Sequence, residues 1–161
     1  MSKILLASSA SVSVYKACDL ASKLAQAGHS VKCVLTKRAA ELVSPQLFEA
    51  VTGERAYTDE FNATREGAMD HIALAQWAEL LCVAPLSADL AGRLANGLAT
   101  DLVSTTSLAL PADVPRLACP SMNPNMLANP AVARNLATLT NDGWLVLEPA
   151  AIQARIDDLL R

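Results

Sequence analysis

Short apolar runs alternate with helical patterns along the whole chain, and this alternation limits the possible folds more than any other feature. The runs predict five buried, mostly parallel strands: Lys3–Ala7, Ser30–Leu35, Leu80–Ala84, Arg116–Cys119 and Trp144–Leu147. In parallel sheets covered by helices, ligands bind in the crevice beyond the carboxyl ends of the strands. Candidate functional residues are therefore those that directly follow a strand.

Two stretches carry clear helix signals. Between the first two strands, four residues at helical spacing share one face: Val14, Cys18, Ala21 and Ala25. Gly28 follows in the position of a C-terminal cap. A second helix is predicted to open at Asn129–Pro130 and to end at Asp142–Gly143. Strands and helices thus alternate up to the last strand, which predicts an α/β fold of three αβα layers, a Rossmann-like or flavodoxin-like open parallel sheet.

The length of 161 residues predicts a single domain covering residues 1–161. One segment, Gly53–Asp70, has scattered charges together with Tyr57 and Phe61. It is compatible either with an irregular loop or with a small added strand.

The charge balance excludes several partner classes. Thirteen basic and sixteen acidic residues give a net charge of -3 without a basic cluster, so nucleic acid is not expected. The longest unbroken apolar stretch, Leu80–Leu86, is far shorter than the roughly 18 residues of a membrane-crossing helix, so no membrane span is expected.

Because 52% of the residues are hydrophobic and only 18% are charged, part of the surface is expected to be covered by sister subunits. We therefore expect a homo-oligomer.

The four cysteines are far apart and form no CxxC pair: Cys18, Cys33, Cys82 and Cys119. They predict neither a zinc ribbon nor a thioredoxin-type redox pair, and we expect buried thiols and no metal site. The first three residues lead directly into Ile4, and the long apolar region of a secretory signal peptide is not seen. The predicted compartment is the cytoplasm.

Small hydroxyl residues follow the first strand, where Ser8, Ser9, Ser11 and Ser13 lead into a helix. A helix N-terminus with nearby hydroxyls favours a phosphate, but a serine that only caps the helix gives the same pattern. A dinucleotide fingerprint is disfavoured because the turn lacks glycine. Thr36-Lys37-Arg38 follow the second strand at the same edge of the sheet. They could assist in binding the same phosphate, or they could simply begin a solvent-exposed helix.

His71 begins an apolar turn that would anchor its imidazole. An anchored histidine can act as an acid or base near neutral pH, although a structural histidine at a helix start is the alternative. His29 has no such context and is expected at the surface. After the third strand, Ser87 is predicted to cap a helix that stops at Asn96–Gly97, and Asp101 to cap the next helix.

Six segments carry a resemblance to a known family: Tyr15-Lys16, Val34–Lys37, Asp70–Ala78, Pro85–Asp89, Ala95–Ala99 and Pro120–Met126. In this order they resemble the flavin-dependent cysteine decarboxylases, which include the phosphopantothenoylcysteine decarboxylases of coenzyme A synthesis. The resemblance covers nearly the whole chain. It implies a flavoprotein domain that binds FMN non-covalently and assembles as a homotrimer or a multiple of three, with the flavin near a subunit boundary.

The resemblance also implies roles for residues at the cofactor. Ser9, Ser11 and Thr36 would take the phosphate of FMN. Ser87 and Ala88 would lie against the isoalloxazine ring.

On the substrate side, His71 matches the essential histidine of the family. Asn123 matches the asparagine that holds the carboxylate of the substrate. Met126 and Asp89 complete the substrate-binding residues implied by the resemblance.

The implied reaction is the decarboxylation of 4'-phosphopantothenoylcysteine to 4'-phosphopantetheine. FMN would take two electrons from the cysteine C–S unit, and the resulting thioaldehyde could accept the charge left when carbon dioxide departs. The first product is an enethiol. In the family, a cysteine in a C-terminal substrate clamp helps to reduce this enethiol to the saturated thiol.

The chain departs from the family pattern at several positions. Ala10 stands where a glycine is usual, Asp89-Leu90 where Asn-Thr is usual, and Leu127 where a tryptophan is common. The clamp has no counterpart, because Leu147-Glu148-Pro149 leads directly into the final helix. Two alternatives therefore stand beside the first: an oxidative peptidyl-cysteine decarboxylase that releases the enethiol, and a non-catalytic FMN-binding paralogue or regulatory subunit.

Overall fold

The computed structural model describes residues 1–58 and 69–160. One sheet of parallel strands runs through the described part of the chain, in the order β3-β2-β1-β4-β5-β6. The strands are β1 Lys3–Ser8, β2 Ser30–Leu35, β3 Ala56–Tyr57, β4 Leu80–Leu86, β5 Arg116–Pro120 and β6 Leu145–Val146. The helices are α1 Val14–Gln26, α2 Lys37–Leu42, α3 Pro45–Thr52, α4 Asp70–Trp77, α5 Ala88–Ala95, α6 Leu102–Ala109, α7 Pro124–Leu127, α8 Pro130–Asn141 and α9 Ile152–Leu159. The predicted α/β fold with an open parallel sheet is confirmed.

Helices cover both faces of the sheet because the central strands are apolar on both sides. In β1, Ile4 and Leu6 pack on one face, while Leu5 and Ala7 pack on the other. The first face is covered by α1, α2, α3 and α9, and the second by α4, α5, α6 and α8. Every residue of β4 is buried, so this strand forms the centre of the core.

The structure has a sixth strand beyond the five predicted. Ala56 and Tyr57 pair with Cys33 and Val34 at the edge of the sheet. They belong to Gly53–Asp70, for which a small added strand was one of the two expectations. A strand of two residues is too short to show an alternating pattern, so only its pairing with β2 defines it. Residues 59–68 of this segment, with Phe61, lie outside the described residues.

The buried face of α1 differs from the predicted one. Its buried residues are Val14, Ala17, Leu20, Ala21 and Leu24. Cys18 and Ala25, predicted on this face, are only half-buried. The larger side chains of Leu20 and Leu24 set the rotation of the helix, because they bury more apolar area than cysteine or alanine.

The helix ends follow the sequence signals closely. Gly28 lies just after α1 with a φ of 89°, a left-handed conformation that glycine adopts without steric cost. Asn129 caps α8 by accepting a hydrogen bond from the N–H of Ala131 at 2.9 Å. Asp101 caps α6 in a capping box with Ser104.

His29 is half-buried, not at the surface as expected, and its Nδ1 accepts a hydrogen bond from the N–H of Ser2 at 3.4 Å.

No helix within the described ranges is long and apolar enough to cross a membrane. The same part of the chain holds no group of three or more His, Cys, Asp or Glu side chains that could bind a metal ion.

Candidate functional site

A cleft of about 380 Å³ opens at the carboxyl edge of the sheet. It lies where the ends of β1, β2 and β4 meet the first residues of α5 and α6. Residues predicted for the site line it: Ser9, Thr36, Ser87, Ala88, Asp89 and Met126. The fold thus brings together side chains from distant parts of the sequence, at the edge where parallel sheets bind ligands.

The turn before α1 presents backbone donors. In the described part of the chain, no group accepts a hydrogen bond from the backbone N–H of Ala10, Ser11 or Val12. Ser13, the N-cap residue, makes no side-chain cap hydrogen bond either. Ser11 instead accepts a hydrogen bond from the N–H of Ser13 at 3.4 Å, and the N–H groups of Ala10, Ser11 and Val12 remain available to an anion.

Thr36 is buried and caps α2, because its Oγ1 accepts a hydrogen bond from the N–H of Ala39 at 3.2 Å. A capping hydroxyl uses its oxygen as acceptor, so its own proton can still be donated to a ligand in the cleft. Ser87 caps α5 in the same way, through a 3.2 Å bond from the N–H of Leu90. Both residues face the cleft with one hydroxyl proton each.

Ser9 has a different environment from these two caps. Its hydroxyl donates to the carbonyl of Pro85 at 2.8 Å and accepts from the N–H of Ser87 at 2.7 Å. Its backbone N–H also donates to the carbonyl of Pro85, at 3.1 Å. Both donors of Ser9 are therefore engaged within the protein, and Ser9 cannot donate to a phosphate in this conformation. It ties the turn after β1 to the turn after β4.

Arg93 pairs with both carboxylates of the cleft. Its guanidinium contacts Asp89 at 2.7 Å and Asp101 at 2.5 Å, and its side chain is only 17% exposed. Burial lowers the pKa of Arg93, but the hydrogen bonds and charges of Asp101 and Asp89 outweigh this effect, so the pKa lies above its usual value. Asp89 therefore stands in the cleft as half of an ion pair, and the repulsion of an anionic ligand is reduced.

The donor set of the cleft fits the phosphate and the ring of the predicted flavin. Besides the backbone N–H groups and the Thr36 hydroxyl, the Nε of Arg93 is buried, and none of the described residues accepts a hydrogen bond from it. Arg93 lines the cleft, as do Lys37 and Arg38. Cations and free N–H groups around one crevice favour an anion there.

A second cavity of about 590 Å³ lies beside the first strand ends, between α1 and the start of α9. Ser13 and Ser121 line it, and their hydroxyl oxygens are 2.7 Å apart. The hydroxyl of Ser11 lies 3.1 Å from that of Ser13 and donates to that of Ser121 at 3.3 Å. Ser11, predicted for the phosphate site, thus directs its side chain towards this cluster and does not line the first cleft.

His71 and Asn123 do not line the cleft. His71 is the second residue of α4 and is half-buried. Asn123 is exposed and caps α7, since its Oδ1 accepts a hydrogen bond from the N–H of Asn125 at 2.9 Å. This bond occupies the carbonyl side of the amide, so the NH2 group is the side that points to a possible acceptor. Asn123 is nevertheless close to the cleft along the chain, because it begins the short helix that carries Met126.

The cysteines are free thiols. Burial raises the pKa of Cys33 to about 12 and that of Cys119 to about 11, and it raises the pKa of Cys82 as well. Burial and the neighbouring charge of Asp19 raise the pKa of Cys18, which is only half-buried. Thiols of this kind are poor nucleophiles and poor proton donors at neutral pH.

Sequence reasoning missed two residues of the site. Arg93 lies four positions after Asp89, a spacing that predicts a helical ion pair and could have identified it. Ser121 could not have been identified from local spacing, because its partner Ser13 is 108 residues away.

Comparison with known proteins adds information from outside the structure. A family model described as "Flavoprotein" matches residues 1–160. The "Coenzyme A biosynthesis bifunctional protein CoaBC" of Bacillus subtilis (strain 168) is 44% identical over 147 residues, which cover 91% of this chain and 36% of that protein. This chain thus spans little more than a third of the length of that relative.

Two further relatives are closer in length. A Streptococcus mutans protein described as "Probable phosphopantothenoylcysteine decarboxylase" is 35% identical over 147 residues, covering 91% of this chain and 82% of the relative. The crystal structure of the FMN-dependent cysteine decarboxylase TvaF, from thioviridamide biosynthesis, is 30% identical with a TM-score of 0.89. That match covers 100% of this chain and 99% of TvaF.

Proposed function

The chain belongs to the flavoprotein family that includes FMN-dependent cysteine decarboxylases, and from this premise we propose that it binds FMN and decarboxylates a cysteinyl substrate. The proposed substrate is 4'-phosphopantothenoylcysteine, and the proposed product is 4'-phosphopantetheine. The observation that carries the proposal is the convergence of the Ala10 turn with its free N–H groups, two hydroxyl donors and Arg93 at one cleft at the carboxyl edge of the sheet.

FMN bound in this cleft would supply the two-electron oxidation without which a cysteine carboxylate has no electron sink. The N–H groups of Ala10, Ser11 and Val12 would hold the phosphate, assisted by the hydroxyl of Thr36. Ser87 and Ala88 would lie against the ring. Ser9 would keep the two surrounding turns in register instead of donating to the ligand, because its own donors are engaged.

On the substrate side, the free NH2 group of Asn123 suits a carboxylate acceptor, since the Oδ1 is already engaged with Asn125. Asp89 and Met126 would line the same approach from the cleft. His71, at the start of α4, would hold or move a proton of the substrate.

A homo-oligomer, a trimer or a multiple of three, is part of the proposal. Two observations support an assembly. His71 and Asn123 do not line the cleft of their own subunit, and a neighbouring subunit would bring them to it. In addition, Val12 is 90% exposed, and Tyr15, which is 62% exposed, lines one shallow cavity with the exposed Leu42 and Leu47. Apolar surface of this kind is often covered by another subunit. The four free thiols are compatible with a cytoplasmic location, which we also propose.

A second candidate function is oxidative decarboxylation of a peptidyl cysteine, with release of the enethiol. The connection between β6 and the turn at Pro149–Ala151 is only the two residues Leu147 and Glu148. This chain and TvaF also match over almost their full lengths. This connection carries no cysteine that could help to reduce the enethiol, and the buried cysteines with raised pKa values are poor proton donors.

The test incubates FMN-loaded protein without oxygen, once with phosphopantothenoylcysteine and once with a peptide ending in cysteine. We expect release of carbon dioxide with the first substrate. A saturated thiol as product supports the first function, whereas an enethiol, two hydrogens lighter, with loss of the oxidised flavin absorbance supports the oxidative one. No carbon dioxide from either substrate contradicts both and leaves the non-catalytic FMN-binding protein.

The matched variant is His71→Asn. It should abolish release of carbon dioxide while FMN stays bound, because the residue lies outside the cofactor cleft. Loss of FMN in this variant would contradict the assignment of His71 to the substrate side.

A further inference from the structure

Three serine hydroxyls join the turn before α1 to the segment after β5. Ser11 and Ser13 come from the first, and Ser121 comes from the second. Each hydroxyl has one proton to donate, and the three contacts form a closed ring when Ser11 donates to Ser121, Ser121 to Ser13, and Ser13 to Ser11. The shortest contact, at 2.7 Å, joins Ser13 and Ser121.

Ser13 is placed unusually for an N-cap serine. Such a residue normally accepts a hydrogen bond from the helix that it begins. Here the helix receives no side-chain cap, and the hydroxyl contacts another segment of the chain. The local helix thus gives up one stabilising contact, and a link between two loops is formed in its place.

Ser121 is the first residue of the segment 121–127, which carries Asn123 and Met126. Its N–H donates to the carbonyl of Leu86 at 3.1 Å, and its hydroxyl contacts Ser13. The residues from Asn123 to Asn129 are exposed. The contacts of Ser121 therefore help to fix where this segment leaves β5.

We propose that Ser13 and Ser121 are positioning residues, whose hydroxyl bridge holds the segment 121–127 against the turn that binds the cofactor phosphate. A phosphate that accepts the proton of Ser11 removes the Ser11–Ser121 bond, because a hydroxyl has only one proton. The bridge between Ser13 and Ser121 survives this change. It keeps Asn123 in place when the cofactor is bound, a role that rests on the proposed function.

The first experiment does not depend on catalysis. Amide hydrogen exchange is measured on the FMN-loaded full chain for peptides covering residues 121–128, in the wild type, Ser13→Ala and Ser121→Ala. Loss of one hydrogen bond is expected to raise exchange there about fivefold. The control is Ser22→Ala, a half-buried serine of α1 whose hydroxyl accepts a hydrogen bond from Gln26. Unchanged exchange in the first two variants, or an equal rise in the control, overturns the proposal.

The second experiment measures KM, kcat and FMN affinity with the cysteinyl substrate. Each single variant should raise KM about fivefold and change kcat and the Kd of FMN by less than about twofold. The double variant should be no worse than either single one, because both remove the same bond. Ser13→Thr, which keeps the hydroxyl, should restore KM. Additive effects, or a loss of FMN without a change in KM, contradict the bridge.

The two experiments separate the bridge from the proposed function. If the wild type releases no carbon dioxide, the proposed function fails, and hydrogen exchange still decides whether the bridge holds the segment. If carbon dioxide is released while exchange and KM are unaffected by the substitutions, the bridge alone is wrong.

Discussion

Replacing Arg93 with methionine tests the charge balance of the cleft. The guanidinium of Arg93 holds Asp89 at 2.7 Å and Asp101 at 2.5 Å. Methionine keeps much of the apolar stem of the side chain, so the loss of packing is small and the charge is the main change. Asp101 would then be left with its carboxylate only 20% exposed and without a counter-ion.

The two contacts of Arg93 differ in strength because they differ in exposure. The pair with Asp89 is 62% exposed on the carboxylate side and should contribute about 0.3–0.5 kcal/mol. The bond to the less exposed Asp101 is a hydrogen bond between charged groups, which contributes about 1.5–3 kcal/mol. We expect Arg93→Met to lower the free energy of unfolding by about 2–3.5 kcal/mol. Most of this loss comes from Asp101.

Urea unfolding of four proteins measures this effect: the wild type, Arg93→Met, Asp89→Asn, and Arg93→Met combined with Asp101→Asn. Asparagine caps helices about as well as aspartate, so the double variant keeps the cap of α6 and removes the unpaired charge. It should recover at least half of the loss. Asp89→Asn should cost less than about 0.5 kcal/mol. A double variant no more stable than Arg93→Met would refute the reasoning, as would an Arg93→Met protein within about 0.5 kcal/mol of the wild type.

Three further predictions concern the cofactor, the assembly and the thiols. Ser11→Asp should weaken FMN binding in equilibrium dialysis by at least about tenfold, because its carboxylate repels the phosphate, whereas Ser22→Asp should leave binding unchanged; retained affinity in Ser11→Asp would show that the phosphate lies elsewhere. Sedimentation at micromolar concentration should give a trimer or a multiple of three, and a monomer contradicts the proposed shared site. Iodoacetamide should label Cys18 before Cys33 and Cys82, as read by peptide mass spectrometry, since Cys18 is the more accessible; faster labelling of the buried thiols would contradict the described packing.

The fold was predictable to the extent that each element has its own local pattern. The central strands are runs of apolar residues buried on both faces, so their order along the chain could be read directly. The edge strand Ala56–Tyr57 could be expected only as an alternative to a loop, because its two residues become a strand only by pairing with β2. The rotation of α1 was misjudged because spacing alone does not weigh Leu20 and Leu24 above Cys18.

The site was predictable where a residue follows a strand and unpredictable where its partners are remote. Thr36 and Ser87 face the cleft as expected from their positions after β2 and β4. The hydroxyl of Ser9, in contrast, is engaged by residues 76 and 78 positions away, which no local pattern reveals. His71, which was expected beside the cleft residues, does not line the cleft. The sequence carries no signal for which residues a neighbouring subunit would supply.

The three hydrogen bonds of Ser9 also set a limit for anyone who redesigns this cleft. A residue at this position must offer one donor and one acceptor on a side chain no longer than a hydroxymethyl group, because the Pro85 carbonyl and the Ser87 N–H are both less than 3 Å from its Oγ. Alanine would leave the half-buried N–H of Ser87 without this acceptor and the Pro85 carbonyl with only the backbone N–H of residue 9, and a longer polar side chain would push the two turns apart. The turns after β1 and β4 therefore depend on each other and have to be kept or changed together. A combinatorial library that varies one of them should keep position 9 fixed, and a graft of either turn into another scaffold should carry both.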